Sequence, residues 1–383
     1  MLKRTALLML GLSGLLLGAA KHRPGAVFLT IWPGSRPTAL GGSFTAIADD
    51  ASATFYNPGG LGFQDKINLS IMHVNWLPAL APDMYYEYLS VSSPFTKIGT
   101  FSFNGIYLTT GETPVVVNGS NLGSYTTFDF SLGLAYGRQI APKVGVGGGA
   151  KFIYSFLAPQ WVIDLYPELQ NTRGQAVSWA VDAGVLYKPL SNLNLGVDLQ
   201  NLGPPISFSA TSEPDPLPLS LRLGASYKPL SIMSKDTGQA QYEIVGLRLT
   251  SDISKILVGM FAIDPPDVDS MTFGEELGYE ISESWRSIGM ELSIFREILT
   301  IRGGYFFDKT GARGGFFVED ENGFNEHIGL IPFLFEEHGK LKKVGVTFGA
   351  GIKYAGFQLD IGIDENIYDF KTTNRKFSLS YTF

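Results

Sequence analysis

The residue types that most often perform chemistry are scattered in this sequence. The four histidines, His22, His73, His327 and His338, are spaced too widely to predict a zinc site, and the chain has no cysteine. Glu319-Asp-Glu-Asn-Gly323 lacks the spacing of an EF-hand calcium loop, and we interpret it as a solvated loop. Gly145-Val-Gly-Gly-Gly149 lies within a predicted strand, so it is not a phosphate loop, and we attribute it to sheet curvature. The sequence therefore predicts no catalytic site, no metal site and no cofactor.

Charged residues inside regularly alternating segments form a more informative pattern. A Lys or Arg that faced lipid in the middle of a membrane strand would cost about 2–4 kcal/mol, so we expect these residues to face a lumen. The predicted inward set is Asp129, Lys151, Asp182, Asp198, Arg222, Arg248, Glu291, Arg302, Lys353 and Asp360. Because acidic and basic members balance, we expect them to pair with one another or with a plug, although charges that simply line water remain an alternative.

The alternation that positions these charges begins at Ile67 and has a period of two. It predicts strands over 67–74, 86–94, 99–108, 125–138, 143–156, 176–188, 192–201, 219–228, 241–251, 285–295, 298–307, 344–354, 356–363 and 375–383. Every second connection is short, apart from the longer 229–240, whereas the intervening ones are long: 75–85, 109–124, 157–175, 202–218, 252–284 and 308–343. Short turns at one end and long loops at the other predict an all-β fold, a transmembrane antiparallel β-barrel of about 14 strands in the bacterial outer membrane. A soluble sandwich has no reason to separate its connections in this way.

The amino-terminal part of the chain lacks this alternation. Lys3 and Arg4 precede an apolar core that is too short to span a membrane and ends at Gly18-Ala-Ala20, so residues 1–20 are predicted to be a signal peptide. Residues 21–66 are predicted to form a hatch or plug, and residues 67–383 the barrel. The net charge of −7 argues against a nucleic-acid partner.

The predicted hatch contains a segment, Thr38 to Asp50, that is rich in small residues. We expect a short helix that Thr38 caps and that lies close to the wall at Gly41 and Gly42, followed by a tight turn at Asn57-Pro58. Asp49 and Asp50 would end this helix, where the macrodipole opposes negative charge. We therefore expect this pair to bind at least one of the inward arginines Arg222, Arg248 and Arg302.

The last strand alternates strictly and ends on an aromatic residue. Phe377, Leu379, Tyr381 and Phe383 share one face, which we expect to contact outer-membrane lipids. This strand is expected to pair with the first, and Phe377, Tyr381 and Phe383 are candidate residues for recognition by the barrel insertion machinery.

The segment from Arg36 to Leu61, RPTALGGSFTAIADDASATFYNPGGL, resembles the PorV/PorQ family of outer-membrane proteins, a branch of the FadL-type fatty-acid channel superfamily. The segments 28–34, 299–308, 348–354 and 377–383 also fit the family pattern, although Gly59-Gly60 stands where the family usually has Ala-Gly. The resemblance implies a 14-stranded barrel with an amino-terminal hatch, in which the candidate hatch residues are Arg36, Gly41, Gly42, Asp49, Asp50, Asn57 and Pro58. It also implies a role in type IX secretion, with a translocon and secreted cargo proteins as partners.

Two long loops are unusually apolar for segments that face water. The candidate partner or ligand residues are Trp76, Leu77, Leu80, Met84 and Tyr85 in the first loop and Trp161 and Tyr166 in the third. An open crown of such loops would favour the handling of cargo proteins. A pocket continuous with the lumen would instead favour a FadL-type channel for a hydrophobic ligand such as a long-chain fatty acid. A purely structural barrel without a ligand also remains open.

Overall fold

The structure is a computed structural model that describes residues 24–169, 171–209, 213–234, 241–258, 272–309, 313–320, 322–365 and 372–383. The predicted signal peptide, residues 1–20, lies outside the described residues, as do residues 21–23 of the predicted hatch. Among the described helices, none is both long enough and apolar enough to cross a membrane.

Alternating residues build a sheet that closes on itself. The described residues form the strands β1 Asn68–Asn75, β2 Tyr85–Phe95, β3 Gly99–Val117, β4 Ser120–Ala141, β5 Val144–Phe156, β6 Gln175–Leu190, β7 Leu193–Leu202, β8 Ser220–Met233, β9 Glu243–Ile256, β10 Trp285–Ile294, β11 Leu299–Asp308, β12 Arg313–Glu319, β13 Asn325–Ile328, β14 Lys340–Tyr354, β15 Phe357–Glu365 and β16 Thr373–Thr382. All pairings are antiparallel, and β1 closes the ring against β16, with Leu69 opposite Tyr381. The prediction of an antiparallel barrel is confirmed.

The ring has the predicted size at one end and one extra strand at the other. Within the described residues, β1 to β11 and β14 to β16 form a continuous ring of fourteen strands. Near the long loops, β12 enters between β11 and β14 and also pairs with β13, so this end of the wall has a fifteenth strand. The predicted loop 308–343 therefore contains two strands that the sequence analysis missed.

Helices are short and lie outside the strand regions. The α-helices are α1 Ser35–Ala39, α2 Ala53–Tyr56, α3 Gln160–Ile163, α4 Phe273–Ser282 and α5 Leu330–Phe335, and 3-10 helices cover Val27–Thr30, Pro58–Phe63 and Pro167–Leu169. The expected helix from Thr38 to Asp50 is wrong. Gly41 and Gly42 adopt φ values of 68° and 82°, which end α1 at Ala39, so Asp49 and Asp50 do not lie at a helix C-terminus.

The predicted loop 109–124 is also wrong, because β3 and β4 continue through it as a long hairpin. Val117 pairs with Ser120 across the two-residue turn Asn118-Gly119, whose φ values are 51° and 82°. Positive φ at both central residues is the geometry of a type I′ turn, for which Asn-Gly is the preferred sequence. This local signal is present in the sequence and indicates the hairpin, which connection lengths alone do not.

The two faces of the wall differ as the alternation predicts. In β16, Phe377 and Leu379 are 50% and 43% exposed on the outside, whereas Lys376 and Ser378 are buried on the inside. A closed barrel satisfies all its backbone hydrogen bonds within the wall, and an apolar outer face suits it to lipid. The protein is therefore an outer-membrane β-barrel.

Candidate functional site: the hatch and the lumen

The described residues 24–66, which we call the hatch, fill the barrel from inside. Wall glycines let the hatch backbone approach closely, because a Cβ atom at these positions would overlap hatch atoms. These glycines are Gly137, Gly145, Gly147, Gly184, Gly196, Gly224, Gly289, Gly304, Gly349 and Gly362, and they lie on strands around the ring. At Gly147, for example, a Cβ would meet the carbonyl group of Pro58. Close packing therefore explains Gly145 and Gly147, and the expectation of sheet curvature alone was wrong for them.

A chain of alternating charges joins the hatch to one side of the wall. Arg36 of α1 donates to Glu291 of β10 at 2.8 and 3.0 Å and to Asp49 at 2.6 Å. Asp49 also accepts a hydrogen bond from Arg248 of β9 at 3.2 Å. Arg248 is one of the three arginines that the sequence left open as partners, whereas Arg302 is linked to the hatch through Glu291.

The same chain continues along the wall. Arg302 of β11 donates to Glu291 at 2.8 Å and to Asp360 of β15 at 2.6 Å, and Gln358 donates to the other oxygen of Asp360 at 2.7 Å. Glu291, Arg302 and Asp360 are all buried. Each buried charge in this row thus has an opposite charge in contact, which is the condition for tolerating buried ions.

Asp49 and Asp50 differ although they are neighbours. Burial disfavours the Asp49 carboxylate, but Arg36 and Arg248 outweigh that effect and hold its pKa well below the usual range. The pKa of Asp50 is raised, because of burial and then repulsion by Asp49. Asp49 is therefore the anion that ties the hatch to the wall, and Asp50 is the first of the two to take up a proton as the pH falls.

A polar cavity of about 380 Å³ lies under the hatch at the end with the short turns. Arg36, Asp49, Asp50, Glu291 and Arg302 line it, together with residues at the ends of β1, β14 and β16. Asp49 is 43% exposed to this cavity. The chain of alternating charges therefore lies at the periplasmic end of the hatch.

Two further charges hold the hatch, and neither belongs to the predicted set of lumen charges. Asp252 of β9 accepts hydrogen bonds from the backbone N–H groups of Phe44 and Thr45, each at 3.0 Å. Lys376 of β16 donates to the carbonyl oxygen of Trp32 at 2.6 Å and to the Thr38 hydroxyl at 2.9 Å. Both residues lie near an end of a predicted strand, where alternation does not tell a lumen charge from a loop charge.

The remaining predicted lumen charges lie in different surroundings. Lys151 of β5 pairs with Asp182 of β6 at 2.8 Å, whereas Lys353 pairs with Glu297 at 3.4 Å in an exposed position. Asp198 is fully buried opposite Arg222, and neither of its carboxylate oxygens has a hydrogen-bond partner among the described residues. Arg222 instead lies over the rings of the hatch residues Phe55 and Tyr56, and Asp129 of β4 is only partly buried.

The predicted turn after α2 holds the hatch against β6. Asn57 accepts a hydrogen bond from the N–H group of Gly59 at 2.9 Å, and its side-chain amide donates to the carbonyl oxygens of Thr45 and Val185. Pro58 begins the 3-10 helix Pro58–Phe63. Asn57 and Pro58 therefore position the hatch in the lumen and are not exposed to a ligand.

The lumen on the long-loop side of the hatch is apolar. One buried cluster, which we call the apolar chamber, combines side chains of the hatch, of the lumen face of the wall and of two long loops. Its larger members are Phe28, Leu29, Leu40, Phe44, Ile47, Phe55, Tyr56, Met72, Val74, Trp76, Met84, Tyr86, Tyr88, Ile106, Leu108, Ile153, Ile206 and Leu217. On β2 and β3 the inward residues change from Ser92 and Ser102 near the short turns to Tyr86 and Leu108 near the loops. A water-filled porin would have a polar lumen at this level.

The apolar loop between β1 and β2 folds into this chamber. Trp76 and Met84 are 5% and 8% exposed, and Leu77 packs against the cluster, whereas Leu80 and Tyr85 remain exposed. The N–H group of Leu77 donates to the Asn374 side chain of β16 at 2.7 Å. The loop therefore lines the lumen and does not form an open crown.

The third loop and the last strand keep their candidate residues at the surface. Trp161 and Tyr166 are 43% and 37% exposed beside a small cluster formed by Val115, Ala158, Val162 and Ile163. Tyr381 packs against Phe357 at 4.5 Å, and Phe383 is 66% exposed while its N–H group donates to Ile67. These positions are open to membrane or solvent, and recognition of Phe377, Tyr381 and Phe383 by insertion machinery stays a prediction.

Comparison with solved structures finds the same fold in a hydrocarbon channel and weaker similarity to other outer-membrane proteins. The deltaS2 mutant of TodX, a monoaromatic hydrocarbon channel of Pseudomonas putida, superposes with a TM-score of 0.50 at 12% identity, covering 91% of this chain and 98% of that one. The toluene transporter TbuX of Ralstonia pickettii gives a TM-score of 0.47 at 10% identity, with coverage of 92% and 98%. A FadL homologue of Pseudomonas aeruginosa gives 0.43 at 10% identity, with coverage of 92% and 99%. No protein-family model matches the sequence, and no curated protein matches it.

Proposed function

We propose that this protein is a FadL-type outer-membrane channel for hydrophobic small molecules, with long-chain fatty acids as the first substrate class to test. The observation that carries the proposal is the apolar chamber, which places buried aromatic and aliphatic side chains between the long loops and the hatch. Side chains fill this chamber, so a solute enters it only when they and the hatch move apart. Such a solute must leave water, which favours apolar molecules and excludes ions. The TodX mutant that shares the fold is described as a monoaromatic hydrocarbon channel, so aromatic hydrocarbons form the second class to test.

Passage through the channel requires the hatch to shift, because it occupies the lumen. A disulfide between hatch and wall tests this requirement in a chain that has no cysteine of its own. The hydroxyl oxygens of Ser35 in α1 and Ser378 in β16 lie 2.8 Å apart, so Ser35→Cys/Ser378→Cys would link the hatch to the wall. The hydroxyl oxygens of Ser70 and Ser380 lie 2.9 Å apart in β1 and β16, so the matched pair Ser70→Cys/Ser380→Cys would link wall to wall.

The measurement is uptake of a fluorescent fatty acid into proteoliposomes before and after reduction. We expect the oxidised Ser35→Cys/Ser378→Cys variant to lose most uptake and to regain it with reductant, while the wall-to-wall pair transports in both states. Equal uptake by the two oxidised variants would contradict a moving hatch. Uptake no faster than in protein-free liposomes, for every variant and for toluene as well, would contradict the channel itself.

A second candidate function is the handling of secreted cargo proteins in type IX secretion. Its support is the resemblance of residues 36–61 to the PorV/PorQ family and the exposed apolar residues of the outer loops, such as Leu80, Trp161 and Tyr166. Affinity purification from native membranes separates the two candidates. Recovery of a giant translocon barrel or of cargo with a carboxy-terminal signal would favour secretion, whereas co-purified fatty acid without such partners would favour the channel.

A further inference from the structure

Helix α5, Leu330–Phe335, is apolar on all sides although it lies in a long loop. Leu330 and Phe333 lie three positions apart on one face and pack into a small cluster with Phe316. On the opposite face Ile331, Leu334 and Phe335 are 68%, 60% and 82% exposed. A helix at a protein–water surface normally has polar residues on its outer face, so this helix needs an apolar environment on that side.

The cluster under α5 lies on the outside of the barrel wall. In β11 the inward positions are Thr300, Arg302 and Gly304, so alternation turns Tyr305 outward, as it turns Leu299 and Ile301. The Tyr305 ring stacks on Phe316 with the ring centroids 5.5 Å apart, and Phe316 stacks on Phe333 at 3.9 Å. Helix α5 therefore rests on the lipid-facing side of the wall and not over the lumen.

The height of this contact places α5 at the level of the membrane. Tyr305 lies six positions above Leu299, the first residue of β11. With a rise of about 3.3 Å per residue and a strand tilt of about 40°, that is roughly 15 Å along the membrane normal, within an apolar band about 25 Å tall. Beside Tyr305 on β10, Ile288 is 45% exposed on the same outer face. Arg286, which lies opposite Phe307 and is exposed on the same face, comes two positions further along β10, so the exposed face of α5 lies at the edge of the lipid-facing belt nearer the long loops.

We propose that α5 inserts its outer face into the acyl chains of the outer leaflet and anchors the loop between β11 and β14 to the membrane beside the barrel. Ile331, Leu334 and Phe335 supply the inserted surface. Leu330 and Phe333 fix the helix on Tyr305 and Phe316. This is the arrangement of an interfacial helix that lies in the membrane surface and buries one apolar face in lipid.

The test uses single cysteines, which a chain without cysteine permits at any position. The variants Ile331→Cys and Phe335→Cys carry a nitroxide label in phosphatidylcholine vesicles, and collision rates with oxygen and with a water-soluble nickel chelate are measured. Ile301→Cys, 51% exposed on the wall, is the lipid reference, and Leu80→Cys, 64% exposed in a loop, is the water reference. Heat-modifiable migration in gels identifies the samples in which the barrel is folded.

We expect both α5 labels to resemble Ile301→Cys, with an oxygen-to-nickel collision ratio several-fold above that of Leu80→Cys. Ratios nearer to Leu80→Cys in folded protein would overturn the proposal and would leave the apolar face of α5 exposed to water as a surface for a protein partner. The result does not depend on transport, so it can fail while the channel function stands.

Discussion

Arg36 is the residue on which the hatch contacts converge. Its guanidinium group binds Glu291 through two nitrogens and also binds Asp49, and only 15% of the side chain is exposed. We expect Arg36→Ala to lower the free energy of unfolding by about 1.5–3 kcal/mol, because the buried Glu291 loses one of its two cationic partners and keeps only Arg302, while the partly exposed Asp49 keeps Arg248. Arg36→Lys should recover only part of this loss, because an ammonium group cannot bind a carboxylate in the same forked geometry. Denaturant titration of the detergent-folded barrel measures both changes.

Lys353→Ala is the control for loss of one positive charge, since the Lys353–Glu297 pair is exposed and should be worth no more than about 1 kcal/mol. The double variant Arg36→Ala/Glu291→Gln separates pairing from general disruption. If Arg36 and Glu291 interact as the structure shows, the double variant loses less stability than the sum of the two single ones. Additive losses would contradict the pairing.

At the residue scale, the sequence predicts most members of the chain of alternating charges but not how they bind the hatch. Alternation predicts that Glu291, Arg302 and Asp360 face the lumen, because a charged side chain in the middle of a strand points either to the lumen or to lipid, and contact with lipid costs free energy. Asp252 and Lys376 were missed because at a strand end the outward face meets water or headgroups, and the cost of facing outward disappears. Their roles depend on the path of the hatch, which no local pattern encodes.

Strands and hatch differ in how far the sequence determines them. The alternation predicts both ends of β1, β7, β11 and β16 to within two residues, because each strand repeats one local rule. The predicted hatch helix is wrong because Gly41 and Gly42 adopt positive φ, with Gly41 against the Tyr305 backbone of the wall and Gly42 against the Trp32 ring of the hatch. Glycines recur at inward positions of the strands, but the sequence alone does not show that the hatch packs against them.

Gly304 and its neighbour Gly303 allow a matched test of how the hatch packs against the wall. A Cβ at Gly304 would meet the backbone of Leu40 and Gly41, whereas at Gly303 it would meet no atom within 4 Å. We expect Gly304→Ala to cost about 1–3 kcal/mol through overpacking and to speed hydrogen exchange in the hatch. Gly303→Ala should be close to neutral in both measurements. Equal effects of the two substitutions would show that β11 responds to loss of glycine itself and not to the hatch.

At the scale of the whole molecule, different interactions hold the ring and the hatch in place. The ring closes through backbone pairing of β1 with β16, from Asn68 opposite Thr382 to His73 opposite Phe377, and no hatch residue takes part in that ladder. Side chains attach the hatch instead. Arg36 of the hatch pairs with Glu291 of the wall, the Asp252 carboxylate accepts hydrogen bonds from backbone N–H groups of the hatch, and the Lys376 ammonium group donates to hatch oxygens. The barrel is therefore expected to fold without its hatch, at lower stability, because several lumen charges lose their partners.

Deletion of residues 24–66 tests this division directly. The truncated barrel should still show heat-modifiable migration, because its ladder hydrogen bonds remain. In planar bilayers it should conduct ions steadily, whereas the intact protein should be nearly silent, because the hatch fills the lumen from wall to wall above the polar cavity. A truncated barrel that folds but does not conduct would show that the loop carrying Trp76 and Met84 seals the apolar chamber by itself. In that case the barrier to water would lie in the chamber, and hatch movement alone would not open the channel.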